Sequence, residues 1–251
     1  MRNLALSLFT GFLFTLLPLC HGADWLERLG LSRPKATNVA SVPVLAGLSQ
    51  DQMVGGLKEA LAKGVTHAVT NLGKEDGFLK DISVKIPMPD TLKRVEKSLR
   101  ALGQDKLADD FVTTLNRAAE KATPEAAAVL GDAVKQMTVA DARAILAGTN
   151  NAATQYFRRT SETNLFARFQ PIVKQATEQT GVTRAYKNMT GKAGFAASLL
   201  GPEAGDLDAY VTRKALDGLF LKVAEEEKRI RENPLARTTD LLQKVFGAFQ
   251  K

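Results

Sequence analysis

The most continuous hydrophobic pattern in the chain runs from Leu207 to Ile230. Read at the period of about 3.6 residues per turn, apolar side chains fall on nearly every side of this stretch. A helix that is apolar nearly all round is typical of a buried helix. At about 1.5 Å per residue it is roughly 35 Å long, enough to cross a small domain. The pattern therefore predicts a long central helix around which the earlier helices pack.

Shorter amphipathic stretches and cap residues predict about nine to ten helices in all. Ser49 and Gln52 have the spacing of a capping box that begins the first helix, and Gly73 ends that helix. Its apolar face is predicted to comprise Met53, Leu57, Leu61, Val65, Ala68 and Leu72. Later helices are predicted to begin at Asp90, Asp105, Thr123-Pro124, Thr138 (with Asp141) and Asn150. In the helix after Asp90, the side chains expected to face inward are Leu92, Val95, Leu99 and Leu102.

Two more helices are predicted before the glycine-rich part of the chain. One covers residues 164–180 and contains Pro171, which predicts a kink or a restart. A shorter one covers residues 182–189. After the central helix, Asn233-Pro234 ends the pattern, and the chain finishes in an amphipathic helix. The apolar face of that last helix comprises Leu241, Leu242, Val245, Phe246 and Phe249.

Residues 74–90 are the one patterned passage that lacks the helical period. Ile82, Val84 and Ile86 alternate with polar residues, which is a strand signal, and two prolines stop it. Since the sequence offers no second strand to pair with it, we interpret the passage as an extended segment lying across helices; a strand of a sheet is the alternative. The predicted fold class is all-α, a single multi-helix domain with at most one short extended segment.

Residues 190–205 form an apolar, glycine-rich segment with four glycines and one proline. The composition predicts a loop. An apolar mobile loop is a candidate lid or contact surface. The simpler alternative is a loop that is packed onto the core.

The first 22 residues resemble a secretory signal, with Arg2 followed by an apolar run of about 16 residues. Cleavage after Gly22 leaves Cys20 and Gly22 at the small-residue positions. A lipid anchor on Cys20 is an alternative, although the preceding proline and leucine fit a lipobox poorly. An uncleaved anchor is disfavoured because a membrane span needs about 20 residues. We therefore predict a periplasmic protein, with a linker at residues 23–47, a domain at residues 48–251 and no transmembrane span in the mature chain.

Composition limits the chemistry of the mature chain. The full sequence of 251 residues, signal included, is 45% hydrophobic and 24% charged, which is ordinary globular composition. The net charge of +7 is spread along helices that mix both signs, so it favours solubility and weak attraction to anionic surfaces over nucleic-acid binding. Cleavage removes the only cysteine and one of two histidines, leaving His67. We predict no disulfide, no metal site and no cofactor.

Familiar catalytic motifs fail on inspection. Gly191-Lys192 lacks the first glycine and the Ser or Thr of a phosphate-binding loop. The Ser32-x-x-Lys35 spacing contains a proline and lies in the linker, which excludes the helical serine-lysine arrangement. The chain has no GxSxG and no HExxH. His67 is interpreted as a half-exposed residue of the first helix.

Three groups of side chains remain as candidates for a binding site. The first group is on the central helix, where an arginine and an aspartate four residues apart can pair: Tyr210, Arg213 and Asp217. The second joins an aromatic ring to two guanidinium groups that can hold a phosphate or carboxylate: Tyr156, Arg158 and Arg159. The alternatives are an exposed Arg213–Asp217 pair at the least buried edge of its helix, and core aromatics beside solvated arginines.

The third group follows on the central helix and contains Glu225, Glu226, Glu227, Arg229, Arg231 and Arg237. The spacing predicts Glu225–Arg229 and Glu227–Arg231 pairs in the favourable glutamate-first order. The simplest interpretation is a solvated, salt-bridged helix end.

Several stretches of sequence, in the order in which they occur along the chain, resemble a family of bacterial envelope proteins known only as domain of unknown function 4197. They include GLKEAL (56–61), DGFLKDISVKIPMP (76–89), LNRAAEKA (115–122), MTVADARAIL (137–146), AATQYFRR (152–159), LDAYVTRKALDGLF (207–220) and EEEKRIRENPLARTTDLLQKVFG (225–247). The resemblance covers roughly residue 48 to the C-terminus. It implies one α-helical domain exported across the inner membrane, and it implies no activity.

Three functional hypotheses follow. The first is a non-enzymatic envelope protein that binds a lipid or another apolar or amphipathic ligand, in an interior apolar pocket whose mouth holds Arg158, Arg159 or Arg213. The second is a structural or interaction module that docks on an envelope protein through an uncovered C-terminal helix. The third is a hydrolase or lyase that uses carboxylates and arginine, with Asp217 or Glu226 in a shared cleft.

Overall fold

Seven α-helices and one short 3₁₀ helix make up most of the described chain. A computed structural model of the protein describes residues 49–179 and 206–233, and single positions within 181–187 and 243–247. The helices are α1 Gln50–Gly73, α2 Lys93–Ala101, α3 Asp105–Ala122, α4 Glu125–Gln136, α5 Val139–Ala147, α6 Ala152–Glu178 and α7 Leu207–Glu232, with a 3₁₀ helix at Asp90–Leu92. The predicted signal, linker, glycine-rich segment and Arg237 lie outside the described residues.

These elements confirm the all-α prediction, since the described residues contain no β-strand. In the described ranges, no helix combines the length and the apolar character that crossing a bilayer requires. The described positions between 181 and 187 are helical, as the pattern there predicts.

The predicted central helix is α7, and it shares the centre of the fold with α6. α7 packs against α1, α3 and α6, whereas α6 packs against α3, α4, α5 and α7. Most of α7 is buried, and its exposed side chains form one stripe of residues: Arg213, Lys214, Asp217, Leu221, Glu225, Lys228, Arg229 and Glu232. The two helices predicted at 150–159 and 164–180 are one helix of 27 residues that continues through Pro171.

Helix starts follow the local cap chemistry in two places and depart from it in two others. Ser49 with Gln52 and Thr138 with Asp141 form capping boxes. The predicted cap at Asp90 is wrong, because its carboxylate pairs with Lys93 at 2.6 Å and the 3₁₀ turn comes first. α4 does begin after Thr123-Pro124, but the Thr123 hydroxyl donates to the Ala119 carbonyl of α3 instead of capping α4.

α2 lies differently from the prediction. Leu92 is buried in the 3₁₀ helix and Leu99 packs partly against the core, but Val95 is 51% exposed and Leu102 is 74% exposed. α2 packs against α3 and the 3₁₀ helix. Val95 and Leu102 lie on a flank that neither neighbour covers, so their predicted inward orientation is wrong.

Residues 74–89, here the crossing segment, lie across α3 and α7 as predicted. The predicted extended conformation is wrong for residues 75–79 and 82–84, which form turns. The Asn116 side chain of α3 accepts a hydrogen bond from the Ile86 amide at 2.8 Å and donates to the Ile86 carbonyl at 2.9 Å. The Tyr210 hydroxyl of α7 donates to the Pro87 carbonyl at 3.2 Å. These side chains satisfy backbone groups that a neighbouring strand would otherwise satisfy, which is why the segment needs no sheet.

Candidate functional site

An open cleft of about 660 Å³ lies between α1, the crossing segment and α7. We call it the histidine cleft, because His67 is the one histidine in its lining. The cleft is lined by the polar residues His67, Asn71, Lys74, Asp76, Lys80, Asp81, Lys222, Glu225 and Glu226, and by Ala68, Leu72, Gly77 and Ile82.

A histidine–carboxylate pair connects the two helices that wall this cleft. The Nδ1 atom of His67 lies 2.6 Å from Oε1 of Glu226, and the Glu226 side chain is only 12% exposed. Asn71 Nδ2 lies 3.1 Å from Nε2 of the same ring. The consistent assignment has Nδ1–H donating to Glu226 and Nε2 accepting from Asn71. The carboxylate therefore orients an imidazole whose side chain stays 54% exposed toward the cleft.

Close packing of α1 on α7 brings this pair together. Gly64 of α1 lies against Glu226 and Ile230 of α7, where an added Cβ atom would be in ordinary contact, 3.5 Å from the Glu226 Cβ. The other oxygen of Glu226 accepts from Nε of Arg229 at 2.9 Å. The prediction of a half-exposed His67 on the first helix is confirmed, but its partner is far away in the sequence and was not predicted.

Ion pairs fix the rest of the charged lining. Lys222 lies 2.8 Å from Asp81 and 2.9 Å from Glu225, and Lys80 lies 2.6 Å from Asp76. Burial acts to raise the pKa of Asp81, but hydrogen bonds from Lys222 and Ser83 hold that pKa below its usual range. Burial acts to lower the pKa of Lys222, but its hydrogen bonds to the two carboxylates raise it. Both groups therefore stay charged at neutral pH.

Removing this cation should raise the pKa of Asp81. In Lys222→Met we expect the pKa of Asp81 to lie above its wild-type value, because the hydrogen bond from Lys222 no longer opposes the effect of burial. A carboxyl group whose pKa is lowered by folding stabilises the folded state at pH values above its usual pKa. This stabilisation is lost as the pH falls through the pKa of the folded state. That pKa is higher in the variant, so the loss begins at a higher pH. Carboxyl NMR titration measures the shift. Lys228→Met is the control, since Lys228 is exposed on the same helix; an unchanged Asp81 titration in Lys222→Met would contradict the assignment.

The third predicted group is partly confirmed. Glu227 pairs with Arg231 at 2.9 Å as expected, but Glu225 pairs with Lys222, and Arg229 with Glu226. The interpretation of a solvated helix end is wrong for Glu226 and Glu227, which are 9% and 5% exposed. They are buried because α1 covers one and the N-terminus of α6 covers the other.

The first predicted group is not assembled. Asp217 pairs with Arg158 of α6, at 3.4 Å, and not with Arg213. Arg213 and Asp217 are both exposed, as the least-buried-edge alternative expects, but they do not form the pair that this alternative includes. Tyr210 is buried and bonds the crossing segment instead.

The second predicted group divides between two sides of α6. Arg158 lies 4.6 Å from the centre of the Phe220 ring of α7, whereas Arg159 lies 3.8 Å from Asp141 of α5. Tyr156 is buried and donates to the Ala133 carbonyl at 2.9 Å. Tyr156 and Arg159 do share a second, smaller cleft of about 380 Å³ between α4 and α6. That these residues bind a ligand stays a prediction.

Two structural requirements of the hypotheses can be compared with the described residues. Both clefts are open and lined largely by polar side chains, so neither is the interior apolar pocket expected behind Arg158, Arg159 or Arg213. The uncovered C-terminal helix is contradicted at Val245, which is fully buried in the core; Leu241, Leu242 and Phe246 lie outside the described residues.

Within the described part of the chain, no three His, Cys, Asp or Glu side chains converge as a metal site would require.

Comparison with known protein families covers most of the chain. The family model described as "Protein of unknown function (DUF4197)" matches residues 47–247. Searches of curated proteins and of solved structures found no match to the chain. Because the family model spans most of the 251 residues, this chain belongs to the DUF4197 family of proteins of unknown function.

Proposed function

We propose that this protein is exported to the cell envelope, where it acts as a non-enzymatic binding protein for an amphipathic ligand held in the histidine cleft. The signal-like N-terminus supports export to the periplasm. The observation that carries the binding proposal is the cleft itself, which has ligand-sized volume and convergent charged groups from three elements.

The lining indicates the chemistry of the ligand. Four carboxylates and three lysines line the cleft. The C-terminal end of α1, which carries partial negative charge, opens beside Lys74. These features favour a cationic or zwitterionic head group over a simple anion. Ile82 lines the same cleft with a side chain that is 94% exposed, so it offers an apolar contact for the rest of the ligand.

Native mass spectrometry on protein purified from an envelope fraction tests this proposal. We expect a bound mass that disappears when the same sample is denatured. Glu226→Gln and Ile82→Asp should each reduce the bound fraction, because one alters the head-group end of the cleft and the other its apolar contact. Asp217→Asn is the matched control, since Asp217 is an exposed carboxylate on the same helix but outside the cleft.

Each outcome of that experiment has a defined meaning. A bound mass lost in both cleft variants and retained in the control supports the proposal. A mass retained in all variants places the ligand elsewhere and overturns it. A wild-type spectrum that shows only the unbound chain also overturns it. The mass of the unbound chain separately tests the predicted cleavage after Gly22 and the lipid-anchor alternative on Cys20.

A second candidate function rests on the His67–Glu226 pair. A carboxylate that orients an imidazole is the arrangement of a general base, which would activate water against a bound ester or amide. This hydrolase differs from the one expected from the sequence, because His67 is the base and Glu226 is a positioning residue. Hydrolysis of a chromogenic ester that is abolished in His67→Gln but unchanged in Asp217→Asn would favour it. Equal rates in His67→Gln and the wild type would exclude it.

A further inference from the structure

The second cleft, between α4 and α6, is a cavity that the proposed function does not use. Its volume of about 380 Å³ is at the small end of ligand-sized cavities. Among the described residues, its aliphatic lining is limited to Val129 and Ala133, and polar side chains form the rest. Apolar contact can therefore contribute little to a ligand held there, and hydrogen bonds must contribute most.

Two amide side chains in this cleft have unused hydrogen-bonding capacity. Gln136, the last residue of α4, is exposed, and its side chain has no hydrogen-bond partner within residues 49–179 or 206–233. Asn164 of α6 accepts a long hydrogen bond from Arg168 at 3.4 Å, and its amide N–H groups have no acceptor in the same ranges. An amide group both donates and accepts. The cleft therefore presents donors and acceptors to a ligand from two helices.

Ser161 adds a buried acceptor to the wall of the cleft. This residue is only 3% exposed and lies in the lining. The Thr160 hydroxyl donates to the Tyr156 carbonyl at 2.9 Å, so in the 3.3 Å contact between the two hydroxyl oxygens Ser161 is the donor. The oxygen of Ser161 therefore keeps its capacity to accept a hydrogen bond from a ligand.

The charges around the cleft offset one another. One oxygen of Asp141 accepts from the Thr138 amide and hydroxyl, and these bonds hold the pKa of Asp141 below its usual range. Its other oxygen lies 3.8 Å from Arg159, which is too far for a hydrogen bond. The second carboxylate, Asp132, pairs with Lys135 at 3.0 Å. Two carboxylates and two cations leave no net charge, so the cleft favours a neutral ligand.

We propose that the second cleft binds a neutral sugar residue. Each hydroxyl of a sugar both donates and accepts, which matches the two amides and Ser161. Adjacent hydroxyls of a pyranose can fill the gap between Asp141 and Arg159, one donating to the carboxylate and one accepting from the guanidinium. This site is separate from the histidine cleft and does not depend on the ligand proposed there.

Saturation-transfer difference NMR on the full chain tests the site, with glucose, galactose, mannose and N-acetylglucosamine as probes. We expect at least one of these sugars to bind the wild type. The double variant Gln136→Met, Arg159→Met should bind that sugar about tenfold more weakly. Both side chains are exposed, so the fold should persist, which circular dichroism checks. Glucuronate should bind more weakly than glucose, because its carboxylate meets those of Asp132 and Asp141.

The matched control is the double variant Arg143→Met, Gln175→Met, which removes an exposed arginine and an exposed glutamine outside the cleft. It should bind the sugar like the wild type. A methyl glycoside that binds as well as the free sugar supports the end of a glycan as the ligand, and binding only with a free anomeric hydroxyl supports a free monosaccharide. A wild type that binds none of the four sugars would overturn the proposal. So would equal binding by the two double variants, or stronger binding of glucuronate or of the zwitterion glycine than of any neutral sugar.

Discussion

Replacing Glu227 by alanine is expected to lower the free energy of unfolding by about 3–5 kcal/mol. The Glu227 carboxylate accepts hydrogen bonds from the Ala153 and Thr154 amides, each at 2.9 Å. It also accepts from the Thr154 hydroxyl at 3.0 Å and from Arg231 at 2.9 Å. The variant removes all of these acceptors from a site where the carboxylate is only 4% exposed.

Two helix ends depend on this one carboxylate. Ala153 and Thr154 lie in the first turn of α6, whose N-cap residue Asn151 provides no side-chain cap. Glu227 therefore caps α6 from another helix and places negative charge at its positive end. Its partner Arg231 donates to the Ile145 carbonyl in the last turn of α5 at 2.7 Å. Without Glu227, this guanidinium, which is 11% exposed, loses the carboxylate that pairs with it.

Urea denaturation followed by circular dichroism measures the loss. Glu225→Ala is the control, because Glu225 lies on the same helix with a side chain that is 50% exposed. Its ion pair with Lys222 is expected to contribute only about 0–1 kcal/mol. Similar losses in the two variants would contradict the capping role of Glu227. A loss in Glu227→Ala that Glu227→Gln partly restores would show that acceptor geometry matters as well as charge.

Local patterns were sufficient for the parts of the fold that local interactions determine. The Ser49–Gln52 capping box, the end of α1 at Gly73 and the long buried α7 all follow from residues close in sequence. The same reasoning treated Glu227 as solvated, because the helical spacing shows Arg231 but not the amides of α6. Those amides lie more than 70 positions away, and only tertiary packing brings them to the carboxylate.

The crossing segment shows the same limit for a strand-like pattern. The alternation of Ile82, Val84 and Ile86 predicts one shared face, yet Ile82 is 94% exposed and the other two are buried. Asp81 is the reason, because its carboxylate accepts from the Ser83 amide at 3.0 Å and its carbonyl accepts from the Val84 amide at 3.1 Å. This tight turn rotates Ile82 away from the residues that follow.

The histidine cleft was beyond sequence reasoning for a related reason. His67 and Glu226 are separated by 159 positions, and neither belongs to a motif whose spacing predicts a site. From the sequence, Glu226 is a candidate carboxylate of a hydrolase or lyase that also uses arginine. The sequence does not show that α1 packs against α7, with Gly64 at the contact. Small residues at a helix contact are a usable signal only after the two partner helices are known.

Replacing Gly77 by alanine is expected to lower the free energy of unfolding by about 2–3 kcal/mol and to disturb the histidine cleft as well. A Cβ atom at this position would lie 2.5 Å from the carbonyl oxygens of both Asn71 and Leu72. These are backbone atoms in the last turn of α1, so no side-chain rotation relieves the clash. The turn after α1, in which the Gly77 amide donates to the Lys74 carbonyl at 3.0 Å, must therefore shift.

Gly131→Ala provides a matched control, because Gly131 lies inside α4 and an added Cβ would meet nothing within 4 Å. It is expected to raise stability by roughly 0.5–1 kcal/mol, since alanine restricts the unfolded chain more than glycine does. Urea denaturation of both variants gives the stability change. NMR of the His67 ring reports on the cleft, because Asn71 contacts the ring and carries one of the displaced carbonyls. A Gly77→Ala protein with wild-type stability and unchanged His67 resonances would show that the end of α1 relaxes without cost, and that the crossing segment does not fix the shape of the cleft.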